Sequence, residues 1–156
     1  MKVEEKIASL GLELPEPPQA MANYVGCVQT GNLLFVSGHG PRGADAMLTH
    51  VGKVGRDFTV EQAYEAARLT CLGCLATVKA YLGDLDKVRR VVKVLGFVNS
   101  APGFENQPAV VNGASDLLVQ VFGERGRHAR SAVGVAELPA GIAVEVEIIL
   151  EVEEEA

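Results

Sequence analysis

The sequence predicts an α+β domain, a two-layer sandwich with two long helices on one face of a mixed sheet. Three observations carry this. Between Val60 and Leu82, the residues Ala63, Ala67, Cys71, Cys74, Leu75 and Val78 recur at three- and four-residue intervals, the stripe of a helix packed on a sheet. A second helix is expected over roughly Pro108 to Phe122, with Val111, Leu118, Val121 and Phe122 available for packing. Lastly, Val144, Val146, Ile148 and Leu150 share one face of a run whose other face holds Glu145, Glu147 and Glu151, the period-two pattern of a half-buried strand. At 156 residues the chain fits one domain over 1–156, with a helix and Pro-rich connector at 1–18 and an acidic tail at 152–156.

The elements follow in order. Val3, Ile7 and Leu10 have helical spacing, and Gly11 closes that helix. The three prolines of Leu14–Pro18 then favour an extended connector. Tyr24–Gln29 and Leu33–Ser37 are strand candidates, and Gly31-Asn32 between them signals a hairpin. Leu33–Ser37 is uniformly apolar and belongs in the sheet interior. Residues 50–57 are expected to hold a short strand or edge segment. Thr59 suits an N-cap, with Glu61 and Gln62 in the first turn of the long helix and Gly83 past its end. A Val-rich strand is expected over Val88–Val98, a polar loop over Asn99–Asn106, and Pro108 suits the opening turn of the second helix. Arg127–Val152 reads as two strands joined at Leu138-Pro139-Ala140-Gly141, a closing hairpin with Val133 and Val135 on its core face. Arg130 then leaves that core face. It either points into a cleft, where its planar fork of donors would suit a carboxylate, or pairs at the surface with an acid such as Glu145. A two-layer domain leaves one sheet face bare. Val25, Val94 and the closing hairpin are candidates to bury it against other copies of the chain, so a closed homo-oligomer is expected.

Composition excludes several classes. The formal charge of −6 and the run Glu151–Glu155 argue against a nucleic-acid footprint or an anionic-membrane patch. No stretch is long and apolar enough to span a bilayer, and the acidic N-terminus lacks the apolar core of a secretory signal, so a cytoplasmic location is expected. Cys71 and Cys74 have CxxC spacing but lie inside the helical pattern without a second pair, and with Cys27 they are expected to be buried, reduced thiols. Gly38-His39-Gly40-Pro41-Arg42-Gly43 is not a phosphate loop, because the GKS/T ending is missing. Its glycines allow either a tight exit from the sheet or close approach of a ligand, and His39 beside Arg42 is either a structural residue or a proton carrier.

The segment Arg130-Ser-Ala-Val-Gly-Val-Ala-Glu-Leu-Pro139, followed by Val144-Glu-Val-Glu147, resembles the signature of the YjgF/Rid family of enamine/imine deaminases. Phe35-Val-Ser-Gly38, Tyr24 after Gln19-Ala20-Met21, and Val111-Asn112 before Phe122-Gly123 agree with that family in the same order. The similarity runs from about Pro18 to Glu151. It implies a chorismate-mutase-like (bacillus type) fold, a homotrimer with clefts between subunits, and hydrolysis of 2-aminoacrylate-type enamines, through their imines, to 2-keto acid and ammonia without metal or organic cofactor. By the same resemblance Arg130 grips the substrate carboxylate and Glu145 orients or activates water. Tyr24, Ser37, Gly38 and Asn112 line the pocket, together with Ala132, where many members carry Cys, and His39, in a loop where members commonly have a Gln-containing form. The leading helix and the loop at 99–107 mark a divergent, longer branch. A small-carboxylate binder without catalysis, and a ribonuclease, are the alternatives.

Overall fold

The computed structural model describes residues 2–19 and 22–154. Helices α1 (Lys2–Ser9), α2 (Val60–Leu82) and α3 (Gln107–Phe122) accompany strands β1 (Cys27–Thr30), β2 (Leu33–His39), β3 (Val88–Asn99), β4 (Ala129–Val135) and β5 (Val144–Val152). The strands form one mixed sheet in the order β1-β2-β5-β3-β4, with only β3 and β4 parallel. The expected α+β architecture is therefore present. Ala20, Met21 and the end of the acidic tail lie outside the described residues.

Each long element starts where its chemistry dictates. Thr59 accepts from the Gln62 amide while the Gln62 side chain accepts from the Thr59 amide, a reciprocal capping box that satisfies two donors at the start of α2. Pro108 occupies the first turn of α3, where its missing N–H costs nothing. The stripes of α2 and α3 close over Val144, Val146, Ile148 and Leu150, all buried, on the inner face of β5. Cys71 and Cys74 are free and buried in this layer, and burial pushes the Cys71 thiol up to about 12, so the pair packs as inert thiols. α1 adds Val3 and Ile7 to the same core. Among the described residues no helix is long and apolar enough to cross a membrane.

The two helices approach closely at Gly113, where a Cβ would run into the backbone of Tyr64 and Arg68 on α2. Gly113→Ala should therefore push α2 and α3 apart. It is expected to cost about 1–3 kcal/mol, seen as a lower thermal midpoint in a melt followed by circular dichroism, despite alanine's better helix propensity.

Three expectations need correction. The closing segment is not a hairpin. β5 pairs with β2 and β3, while β4 pairs only with β3, in parallel. The link between them crosses the end of β3, where Ser100 donates its amide to the Val135 carbonyl and Asn99 to that of Ala143. Lys53 secures the crossing, donating to Asn99 Oδ1 at 2.8 Å and to the Ala136 carbonyl, while Asn99 Nδ2 donates to the Ile142 carbonyl at 3.1 Å. β3, α3 and β4 thus form a βαβ unit, since parallel strands need a long crossover rather than a turn. The faces of β4 are also the reverse of those expected. Val133 is exposed on the bare sheet face, and Arg130 and Ala132 point toward α3. Finally, Val94 is fully buried and packs in the core beneath the helices. Val25 is exposed as expected, and the bare face presents Val28, Phe35 and Val133.

Candidate active site

Arg130 leaves the edge strand β4 on the helix side. Its Nη1 donates to Asn112 Oδ1 at 2.7 Å and to Ser115 Oγ at 3.1 Å. Asn112 and Ser115 are three residues apart and so stand on one face of α3. Ser115 is held in turn by His128. The Gly126 carbonyl can only accept, so His128 Nδ1 carries a proton and donates to it at 2.6 Å. Nε2 is left to accept the Ser115 hydroxyl proton at 2.9 Å. Burial, and after it the neighbouring Arg130 charge, lower the proton affinity of His128 against the opposing pull of the Gly126 bond, which favours this neutral form. Both protons of Arg130 Nη1 are thereby used. The Nε–Nη2 edge has no partner among the described residues, and it is the edge whose two parallel donors match a carboxylate.

A second cluster forms around the end of β2. Tyr24, Ser37, Gly38, His39 and Arg42 line one cavity of about 70 Å³. Ser37 Oγ donates to the Val25 carbonyl at 2.6 Å, tying the segment before β1 to β2. The register between β2 and β5 shifts between Val36 and His39, so Ser37 and Gly38 together oppose one residue of β5. Gly38 matters here for its missing side chain. A Cβ would sit 2.5 Å from Glu145 Oε2, so only glycine lets that carboxylate lie against the strand. Glu145 lies on the bare face of the sheet, and burial, with the Glu147 charge adding to it, raises its pKa above the ordinary carboxylate value.

His39 emerges from the register shift on the helix side, 7% exposed. Its Nδ1 donates to the Ser37 carbonyl at 2.6 Å, and Nε2 accepts from Thr77 Oγ1 on α2 at 2.8 Å. Burial lowers its pKa, so the ring is a neutral brace between β2 and α2 whose nitrogens are both engaged.

The structure thus brings Arg130 to Asn112, with Ala132 two residues along the same face of β4. It brings Tyr24, Ser37 and Gly38 together, with Glu145 against the strand. It does not bring these two groups to each other. Glu145 is aligned with Phe97 of β3 and Arg130 with Val94, two strand spacings and three residues apart, on opposite faces. At ordinary sheet dimensions that separates their Cα atoms by about 14 Å. The surface pairing of Arg130 with Glu145 therefore does not form within one copy.

Sequence reading missed Ser115 and His128. Ser115 carried a signal in its spacing from Asn112, and His128 in its place two residues before Arg130, but nothing in either pattern shows that the two side chains meet.

The family model described as "YjgF/chorismate mutase-like, putative endoribonuclease" matches residues 4–151. The chain is similar to the crystal structure of Atu1372 from Agrobacterium tumefaciens, a protein of unknown function, with 47% identity and a TM-score of 0.91 over 97% of this chain and 93% of that one. It is similar to a Shewanella oneidensis protein given the same endoribonuclease description, at 33% identity and a TM-score of 0.93 over 96% of this chain and 99% of the other. Against RidA from an Antarctic Psychrobacter species the identity is 28% and the TM-score 0.61, covering 88% of this chain and 94% of that one. The first two of these proteins match more of the chain, and at a higher TM-score, than RidA does.

Proposed function

Because the chain belongs to the YjgF/chorismate-mutase-like family, we propose that it is an imine hydrolase whose site is shared between two copies in a homotrimer, Arg130 from one and Glu145 from its neighbour. The observation that carries this is the oriented guanidinium of Arg130, built to present a free two-donor edge. A cation so placed suits a small carboxylate. The separation of Arg130 from Glu145 inside one copy supports a site completed by assembly, and the exposed Val28, Phe35 and Val133 offer the apolar face for it.

The chemistry asks little of the protein. Enamines of the 2-aminoacrylate type tautomerise to imines, which are already electrophilic. Arg130 holds the carboxylate and so fixes C2 in position. A water oxygen bonds to C2 while its proton passes to Glu145. Nitrogen takes that proton to give a carbinolamine, and the C2–N bond then breaks as the hydroxyl proton passes through Glu145 to nitrogen, so that ammonia leaves and the 2-keto acid remains. A carboxylate with a raised pKa is the stronger base for the first step. Tyr24, Ser37 and Gly38 wall the pocket on the Glu145 side, with Asn112 and Ala132 on the Arg130 side. His39 lines the same cavity as Tyr24, Ser37 and Gly38 and is the brace described above, with both ring nitrogens engaged. The endoribonuclease reading of the family description finds less support, since a chain of net charge −6 repels a polyanion overall.

An amino-acid oxidase acting on L-alanine releases 2-iminopropionate. The protein is expected to speed its disappearance beyond the buffer rate in a semicarbazide-trapping assay, and an unchanged rate would contradict the hydrolase. The relay behind Arg130 is testable in the same assay. Ser115→Ala removes one of its two positioning bonds and leaves His128 Nε2 without its donor. KM should rise about two- to tenfold, more than kcat falls, and His128→Gln should give a smaller rise because its amide can still meet Ser115. Equal KM values in all three proteins would show that the relay does not position the arginine.

A further inference from the structure

We propose that Arg42 gives the cleft a second anion contact, so that the imines it favours are those of dicarboxylic amino acids. The inference rests on the imine-hydrolase reading and names its substrate class. Arg42 lines the same cavity as Tyr24, Ser37 and Gly38, and the Glu145 carboxylate lies against Gly38.

Its side chain is held by a built turn. Arg42 bridges Leu48 across a tight excursion in which Gly43 donates to the Met47 carbonyl at 2.9 Å and Thr49 to that of Pro41 at 2.9 Å. Ala46, at the tip, takes a left-handed conformation with φ of 64°, uncommon for a residue with a Cβ. Its carbonyl accepts from Arg42 Nη1 at 2.7 Å.

That bond uses one nitrogen and neutralises nothing. Among the described residues no carboxylate lies within ion-pair distance of the guanidinium. The acids nearby are otherwise placed. Asp45 accepts from the Met47 amide at 3.0 Å, and Glu16 shares the adjoining recess with Arg42, Pro15 and Leu69 without reaching Arg42 in an ion pair. The neighbouring imidazole of His39 is neutral. A half-buried cation with a free edge is thus left in the wall of the cavity, and a carboxylate is the group that matches such an edge. With the α-carboxylate on Arg130 of the neighbouring copy and C2 over Ser37 and Gly38, the substrate side chain runs toward Arg42. The anionic side chains of amino acids are carboxylates, so the class is the 2-imino dicarboxylates.

The test compares two four-carbon imines, 2-iminosuccinate and 2-iminobutyrate, each released by a matching amino-acid oxidase. The intact protein is expected to favour iminosuccinate in kcat/KM by roughly ten- to hundredfold, the scale of one hydrogen-bonded charge contact. Arg42→Ala should collapse that ratio toward one, and Arg42→Lys should keep part of it. No preference in the intact protein, or a preference that survives Arg42→Ala, would overturn the proposal. If neither imine is accelerated, the hydrolase reading fails and binding decides the contact separately. Tighter binding of 2-oxoglutarate than of 2-oxovalerate by NMR titration, lost in Arg42→Ala, would support the Arg42 contact, and equal binding would overturn it.

Discussion

Replacing Arg130 with alanine is expected to lower kcat/KM for 2-iminopropionate by roughly 30- to several-thousandfold, while the fold and the assembly survive. The magnitude follows from removing one partner of a hydrogen-bonded charge pair, about 2–5 kcal/mol, at about 1.4 kcal/mol per tenfold in rate. The variant should fold because Arg130 stands at the edge of the sheet, where its bonds run to Asn112 and Ser115 rather than into the core. His128 and Ser115 keep their own bond. Arg130→Lys is the informative companion. Lysine restores the charge but not the parallel donors, so it should recover only part of the lost rate. Kinetics beside analytical ultracentrifugation check both halves, and wild-type activity in Arg130→Ala would remove the arginine from the site.

Glu145→Gln should cost the reaction about 10²–10⁴-fold in kcat, the usual worth of a general base, and raise the thermal midpoint at neutral pH. The second effect follows from the direction of the Glu145 shift. Burial and the Glu147 charge raise its folded pKa above the unfolded value, so the folded state binds the proton more tightly. A charged Glu145 therefore opposes folding. That penalty is absent below the ordinary carboxylate pKa and develops as pH rises through the raised one. Glutamine removes the charge and the repulsion with Glu147 together. Activity has the opposite pH trend, because the base must be ionised. The kcat profile should climb through a limb displaced above the ordinary carboxylate range, and Glu145→Gln should abolish that limb. A melt of the variant at pH 5 and pH 8 separates the two readings, since the gain in midpoint should be larger at pH 8.

The helices were legible because their signals are local. Thr59 with Gln62, the stripe from Ala63 to Val78, and Pro108 each act within a few residues. The inner face of β5 was equally plain, since Val144 to Leu150 alternate without a break. The pairing of β4 was not. Alternation shows that a segment is a strand but not which strand lies beside it, and the Leu138–Gly141 turn looks the same whether it closes a hairpin or crosses the end of β3. The two valines of β4 then pointed to the wrong inner face, because Val133 is an apolar residue on a bare surface and Arg130 a charged one braced against a helix. The site followed the same rule. The roles of Arg130 and Glu145 come from motif resemblance, but their placement on opposite faces, and the link from His128 through Ser115 to Arg130, depend on contacts between distant segments.

The most direct test of a site shared between copies mixes the two inactive variants. Arg130→Ala subunits retain Glu145, and Glu145→Gln subunits retain Arg130. Unfolded together and refolded as random rings, they should regain about a quarter of the wild-type activity, because each site then draws its two groups from independent neighbours. Activity in the mixture no greater than that of the separate variants would place both groups in one copy and contradict the account.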